Sequence, residues 1–259
     1  MSGVSIEDRG RARWITLDRP DCRNALDPDV LGALQAGVYG AVAAGARAIV
    51  IVGRSGAFCS GADLRYAVAQ GPALIENVET HLAHFQNLVR AIVSSPLPTL
   101  AAVDGVAYGF GCDLALACDL RVATTRAYFQ EGFVRIGLIP DGGGTWLLPR
   151  LVGLSKALEL ALLGEKLDAA AAQHFGLVAR VVAPEDLDAA VTAIAEKLVN
   201  GPPMAIGHIK RLLRDGLARG FDEAFRDEGA AQAQCLRSED CLEGIAAFFQ
   251  KRPPVFAGR

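Results

Sequence analysis

At 259 residues, with 51% hydrophobic and 21% charged residues, the chain has the length for one large domain, or for one domain with a small appendage. The apolar share is too high, and the net charge of -3 too small, for a disordered chain. A pI near 5.8 argues against a nucleic-acid partner, which usually selects a basic surface. No apolar run approaches the roughly 18 residues that span a bilayer. The first residues, MSGVSIEDRGRARW, lack the apolar stretch of a signal peptide, so no membrane partner and a cytoplasmic location are expected.

Taken in order, Ala12 to Asp18 alternates polar with apolar residues and reads as a strand ended by Arg19-Pro20-Asp21. Asp27 before Pro28 is an N-cap followed by a first-turn proline, opening a helix to about Ala44. Arg47 to Val52 is continuously apolar after its first residue, as a buried parallel strand would be. Gly53 to Asp63 reads as a loop. Leu82, Phe85, Leu88, Val89 and Ile92 have helical spacing within a helix expected from Leu74 to Val93. Thr99 to Val103 is a second buried strand, leading to a glycine-rich turn from Gly105 to Gly111. A short helix from Gly111 to Cys118 and a strand from Leu120 to Thr124 follow.

After Gly142-Gly143-Gly144 the pattern is mostly helical, with segments at Ala157–Leu163, Ala169–His174, Leu187–Val199, Ala205–Leu217, Phe221–Leu236 and Glu239–Gln250. One strand, Leu177 to Val182, interrupts them. Strand–helix repetition followed by a helical tail predicts an α/β core with a helical C-terminal part.

The six cysteines contain no CxxC, which removes a zinc ribbon and a thioredoxin motif, and a core of this size does not need disulfides. His81 and His84 stand at i,i+3, but no HExxH accompanies them, and they read as a solvated helix face. No metal is expected.

Two glycine-containing turns carry the chemical signal. Each follows a buried strand and enters a helix: Phe58-Cys59-Ser60-Gly61-Ala62-Asp63-Leu64, and Gly105 through Asp113. Such turns aim free N–H groups beyond the strand end, where they can hold an anion or a developing oxyanion. A ligand-free tight turn is the alternative. Gly105, Gly109 and Gly111 do not space as GxGxxG, and neither GxxxxGK[ST] nor GxSxG occurs.

These turns resemble those of the crotonase, or enoyl-CoA hydratase/isomerase, superfamily. The matching stretches are PDCRNALD (Pro20 to Asp27), FCSGADL (Phe58 to Leu64), AAVDGVAYGFGCDLALACDLRVA (Ala101 to Ala123) and GLIPDGGGTWLLPRLVG (Gly137 to Gly153). FGLVARVV (Phe175 to Val182) and KRPPVF (Lys251 to Phe256) also match, so the resemblance runs nearly end to end. It implies a crotonase-like spiral of ββα units over residues 1–200 and a helical trimerisation region over 201–259. It also implies an acyl-CoA thioester substrate, with no cofactor beyond the coenzyme A that the substrate carries, and a homo-oligomer, trimer or hexamer.

By resemblance, two backbone N–H groups hold the thioester oxygen. One is Ala62, after Gly61 and flanked by Ser60 and Asp63. The other is Gly109 or Phe110, with Phe110 preferred. Arg23 and Ala25, with Phe248 and Lys251 reaching a neighbouring subunit's site, correspond to coenzyme A contacts. For Arg23 a solvated loop arginine, and for Phe248 and Lys251 an amphipathic helix end, are the alternatives.

Family hydratases use two glutamates. Their positions fall here on Asp113, one methylene shorter, and on Phe133, whose ring moves no proton. Glu131 is a possible substitute. Asp141, in Ile139-Pro140-Asp141 before Gly142, stands where hydratases commonly carry glycine. It resembles the aspartate of the isomerase branch, which includes the epoxide isomerase of the phenylacetate pathway. Phe110, Phe133 and Trp146 are expected to wall an apolar pocket that raises the Asp141 pKa. Asp141 as a turn or N-cap residue is the alternative. The expected activity is double-bond isomerisation with Asp141 as base. Hydration through Asp113 with Glu131 or Asp141, and acyl-CoA binding without chemistry, are its rivals.

Overall fold

The structure, a computed structural model, describes residues 3–259. Its strands are β1 (Val4–Arg9), β2 (Ala12–Leu17), β3 (Ala48–Gly53), β4 (Ala57–Cys59), β5 (Thr99–Val103), β6 (Val106–Tyr108), β7 (Leu120–Thr124), β8 (Tyr128–Gln130), β9 (Lys166–Asp168) and β10 (Arg180–Val182). In the first half, α1 (Pro28–Ala43), α2 (Leu64–Gln70), α3 (Pro72–Glu76), α4 (Val78–Ser94) and α5 (Phe110–Ala117) lie between them. The second half adds α6 (Gly144–Val152), α7 (Leu154–Leu163), α8 (Ala169–His174) and α9 (Leu187–Asn200). It ends with α10 (Pro203–Gly216), α11 (Phe221–Leu236) and α12 (Glu239–Gln250).

Two sheets stack the repeat. The larger has order β1-β2-β3-β5-β7-β10, parallel except for the β1–β2 hairpin. The smaller has order β4-β6-β8-β9, with β4, β6 and β8 parallel. Each repeat places one strand in the large sheet and the next in the small one: β3 then β4, β5 then β6, β7 then β8. The corner is tight; a β-carbon on Gly105 would lie 2.0 Å from the Gly56 carbonyl oxygen. Asp104, at that corner, accepts the Thr124 hydroxyl at 2.8 Å and the Arg126 Nε–H at 2.7 Å, tying one repeat to the next.

Both faces of the large sheet are covered. Helix α9 packs on β2, β3, β5 and β7 through Leu187, Val191 and Ala195. The other face meets α1, α4, α5 and the small sheet in the main core. Continuous burial of β3 and β5 follows from this double cover. β2 alternates in sequence but is buried along almost its whole length.

The predicted helix α1 begins as expected, with the Asp27 carboxylate accepting the Val30 N–H at 2.9 Å. The segment expected as one helix from Leu74 is broken into α3 and α4 at Asn77. The Gly53–Asp63 loop contains β4, and the glycine-rich turn contains β6. β8 and β9 were also unread, because three residues carry no period. The strand expected over Leu177–Val182 forms only at Arg180–Val182. No described helix is long and apolar enough to cross a membrane.

Candidate active site

Strands β4, β6 and β8 run side by side and end together, since Cys59 pairs with Ala107 and Tyr108 with Gln130. The three segments that leave them build the site. Gly61 has φ +87°, and a β-carbon there would lie 2.7 Å from the Tyr108 carbonyl oxygen and 3.3 Å from the Phe110 nitrogen. Only glycine meets both the conformation and the approach. The two turns therefore abut. Neither the Ala62 N–H nor the Phe110 N–H finds an acceptor among the described residues, whereas the Gly109 N–H is spent on the Gln130 carbonyl at 2.8 Å. Of the two expected donors on the second turn, Phe110 is thus the free one.

The first turn is braced from the loop before α1. Leu26 N–H donates to the Gly61 carbonyl at 2.8 Å, Asp63 N–H to the Leu26 carbonyl at 2.9 Å, and Ser60 N–H to the Arg23 carbonyl at 3.0 Å. Ser60 Oγ donates to the Cys22 carbonyl at 2.9 Å. Asp63 caps α2, accepting from Arg65 and Tyr66 N–H, and pairs with Arg19 at 3.2 Å. The side chains of Ser60 and Asp63 are thus occupied in holding the turn. Asn24 and Arg19, which sequence reasoning missed, anchor the same loop. Asn24 is wholly buried and donates to the Arg54 and Ala57 carbonyls while accepting the Arg19 N–H. Its place within RNAL was the only signal. Arg23 is exposed and left-handed at φ +51°, and Ala25 beside it is buried.

Next to Ala62 opens a cavity of about 820 Å³. Leu26, Leu74, Leu82, Phe85, Val89, Leu138 and Ile139 give it apolar walls, and Asp141 lies at its edge. The walls come largely from α2, α3 and α4, not from the aromatic residues expected. Phe133 and Trp146 do not line it. Trp146 is 40% exposed and stacks under the Arg150 guanidinium at 4.0 Å. Phe110 packs edge-on against Phe85 at 4.7 Å, behind the lining. His81 and His84, expected on a solvated face, line the cavity.

The three carboxyl groups are in different situations. Asp141 faces the cavity, and burial raises its pKa from the ordinary value. It does not cap α6; Gly143 stands at that N-cap and no side-chain cap is made. Asp113 is fully buried beneath the glycine turn, its Oδ2 accepting the Gly142 N–H at 3.0 Å. A β-carbon on Gly144 would lie 2.3 Å from its Oδ1, so the glycine turn closes directly over this carboxyl. Burial, with Glu131 nearby, pushes the Asp113 pKa well up. Glu131 is 2% exposed, and burial pushes its pKa up to about 7. Neither lines the cavity. The Cys59 thiol, pushed up to about 12 by burial, is no nucleophile. No group of acids, histidines and cysteines among the described residues could hold a metal ion.

Phe248 is 78% exposed at the end of α12, and Lys251, left-handed at φ +53°, closes that helix, its N–H reaching the Phe248 carbonyl at 3.2 Å. All six cysteines are free.

A family model described as enoyl-CoA hydratase/isomerase matches residues 11–259. The chain belongs to the enoyl-CoA hydratase/isomerase family. A Rhodobacter capsulatus protein named "Probable enoyl-CoA hydratase" is 43% identical over 246 residues, covering 95% of this chain and 94% of its own length. The 1,2-epoxyphenylacetyl-CoA isomerase of Escherichia coli is 35% identical over 249 residues, covering 95% and 94%. The crystal structure of an enoyl-CoA hydratase from Bacillus anthracis superposes with a TM-score of 0.95 at 30% identity, covering 99% of this chain and 100% of its own. This chain is accordingly an enzyme of the hydratase/isomerase type, with the crotonase fold.

Proposed function

We propose that the chain shifts the double bond of an enoyl-CoA thioester, with Asp141 as the single proton carrier. The observation that carries this reading is that, of the three carboxyl groups, Asp141 alone lines the cavity beside Ala62. The thioester oxygen sits between the Ala62 and Phe110 N–H groups. Asp141 takes the α-proton, the charge passes to the dienolate oxygen, and the same carboxyl returns the proton at the γ-carbon. Low polarity around Asp141 strengthens it as a base, which suits an acid–base step near neutral pH. The walls of Leu74, Leu82, Phe85 and Ile139 favour a bulky apolar acyl group. The 35% identity to an isomerase agrees with this reading.

Hydration is the second reading. It is favoured by the carboxyl pair Asp113 and Glu131 and by the 43% identical relative. Absorbance separates the two. Isomerisation of a 3-enoyl-CoA creates the conjugated chromophore, whereas hydration of a 2-enoyl-CoA removes it. A rise with the former and no bleaching of the latter is expected; bleaching alone would reverse the assignment.

Coenzyme A is expected along Arg23 and Ala25, with Phe248 and Lys251 of a neighbouring copy completing its site in a closed homo-oligomer.

A further inference from the structure

At the cavity wall three carboxyl groups stand near one another, Asp141 on the lining and Asp113 and Glu131 behind it, with no cation among the groups that face Glu131. Glu131 follows the end of β8, Asp113 lies in the first turn of α5, and Asp141 precedes the glycine turn into α6. No well-formed hydrogen bond reaches either oxygen of Glu131, beside which stands only the weakly donating Cys112 thiol, and Asp113 Oδ1 has none from a side chain either. The groups that face Glu131 are Cys112 and Asp113 from α5 and Asp141 from the loop before α6. No lysine, arginine or histidine is among them. Its own neighbours, Gln130, Gly132 and Phe133, do not titrate. A buried polar group without a partner calls for a reason. An ion pair is not that reason here. Glu131 also sits under the oxyanion turn, because the carbonyl of Gln130, the residue before it, takes the Gly109 N–H.

We propose that Glu131 is a positioning residue that works as a neutral acid, keeping the space beneath the Phe110 turn uncharged while Asp141 and the enolate exchange a single negative charge. The inference rests on the Asp141 reading. Phe133, at the position of a family glutamate, cannot charge, so the cluster carries one proton fewer to place. The raised pKa of Glu131, about 7, means that it keeps its proton below neutrality. Above neutrality the proton goes to solvent. A second anion then stands beneath the Phe110 turn, where the enolate charge gathers, with no cation among the groups that face it. At an effective dielectric constant of about 20, a unit charge several ångströms away is worth roughly one to two powers of ten in rate.

The test is the pH profile of kcat/KM for 3-enoyl-CoA isomerisation, in the wild type and in Glu131→Gln, whose amide is neutral at every pH. The wild type should fall by roughly tenfold or more between about pH 7 and about pH 9, while Glu131→Gln loses that alkaline fall. A purely structural role would lower stability without moving the limb. An alkaline fall that survives in Glu131→Gln, or a wild type with none, overturns the proposal. Should the variant not fold, carbon-13 NMR of labelled glutamate in the wild-type protein reads the Glu131 titration directly. A midpoint coinciding with the alkaline limb supports the proposal, and one in the ordinary carboxylate range overturns it. That titration is read in the resting protein. It therefore fails independently of the base assignment, which wild-type turnover in Asp141→Asn would remove.

Discussion

Asn24 shows how one side chain can hold the proposed oxyanion turn without touching it. It is buried in a left-handed conformation at φ +59° and bonds Arg54, Ala57 and Arg19. Asn24→Ala strands the buried Ala57 carbonyl and the half-buried Arg54 carbonyl and Arg19 N–H, so denaturant unfolding should show a loss of about 3 kcal/mol. Turnover should fall further than stability alone explains, because β4 and the Ser60–Ala62 turn lose their tether. Glu131 makes a prediction of opposite sign. Its folded pKa of about 7 lies above the ordinary 4.5. The native state therefore binds more protons than the unfolded state between those values, and stability falls as pH rises through that window. At pH above about 7, Glu131→Gln should be more stable than the wild type, by on the order of 3 kcal/mol at most. The difference should vanish below about pH 4.5. A variant that is less stable at alkaline pH would contradict the burial argument.

Among elements, α10 is joined to the α/β core through charge. Lys210 is buried and donates to the Ile92 and Leu97 carbonyls, and its Nζ lies 2.8 Å from Asp119. Arg214 grips the other oxygen of Asp119 at 2.8 Å and the Ala117 carbonyl at 2.9 Å. The same carboxylate accepts from Thr99 N–H and Oγ, at 2.8 Å each. Asp119→Ala leaves two cations without their anion, and should cost about 3–5 kcal/mol in denaturant unfolding. A loss within the ordinary range of surface changes would show that α10 is held by its apolar contacts alone. Elements of this kind were partly legible in the sequence. α1, α5 and β5 announce themselves by a cap, glycines and a nearly unbroken apolar run. Strands of three residues cannot show a period, and so the small sheet went unread although its strand ends carry the site. The walls of the cavity were hidden for a related reason. Trp146 is apolar and only five residues from Asp141, but in α6 its ring is turned towards solvent beneath the Arg150 guanidinium. Most of the walls come from α2 to α4, far away in the chain, while Leu138 and Ile139 lie close to Asp141 in sequence.

At the scale of the whole molecule, the C-terminal helices leave apolar surface without cover. Leu213, Leu217, Phe221, Phe225, Phe248 and Phe249 are all more than half exposed. Leu212, beside Leu213 in the chain, is partly buried and lines a groove between α10 and α11. Apolar patches of this extent mark association surfaces, and closed point-group symmetry is the usual outcome. Light scattering at micromolar concentration should report a trimer or a pair of trimers. A monomer would remove the role given to Lys251 at a neighbour's site. End-to-end motif order made the fold legible, since many short stretches at fixed spacing require one topology. The chemistry was legible only as a set of candidates. The resemblance favours Asp141 over Asp113 and Glu131, but which of the three faces the cavity depends on how the glycine turn folds over α5.

The assignment of Asp141 as the proton carrier is tested most directly by isomerase turnover of Asp141→Asn beside Asp113→Asn, with acyl-CoA affinity measured on both. Asp141→Asn keeps the shape and removes the base, so turnover should drop by roughly 100- to 10,000-fold with little change in affinity. Asp113→Asn should be the milder change. Wild-type turnover in Asp141→Asn, or a larger loss in Asp113→Asn, would contradict the assignment.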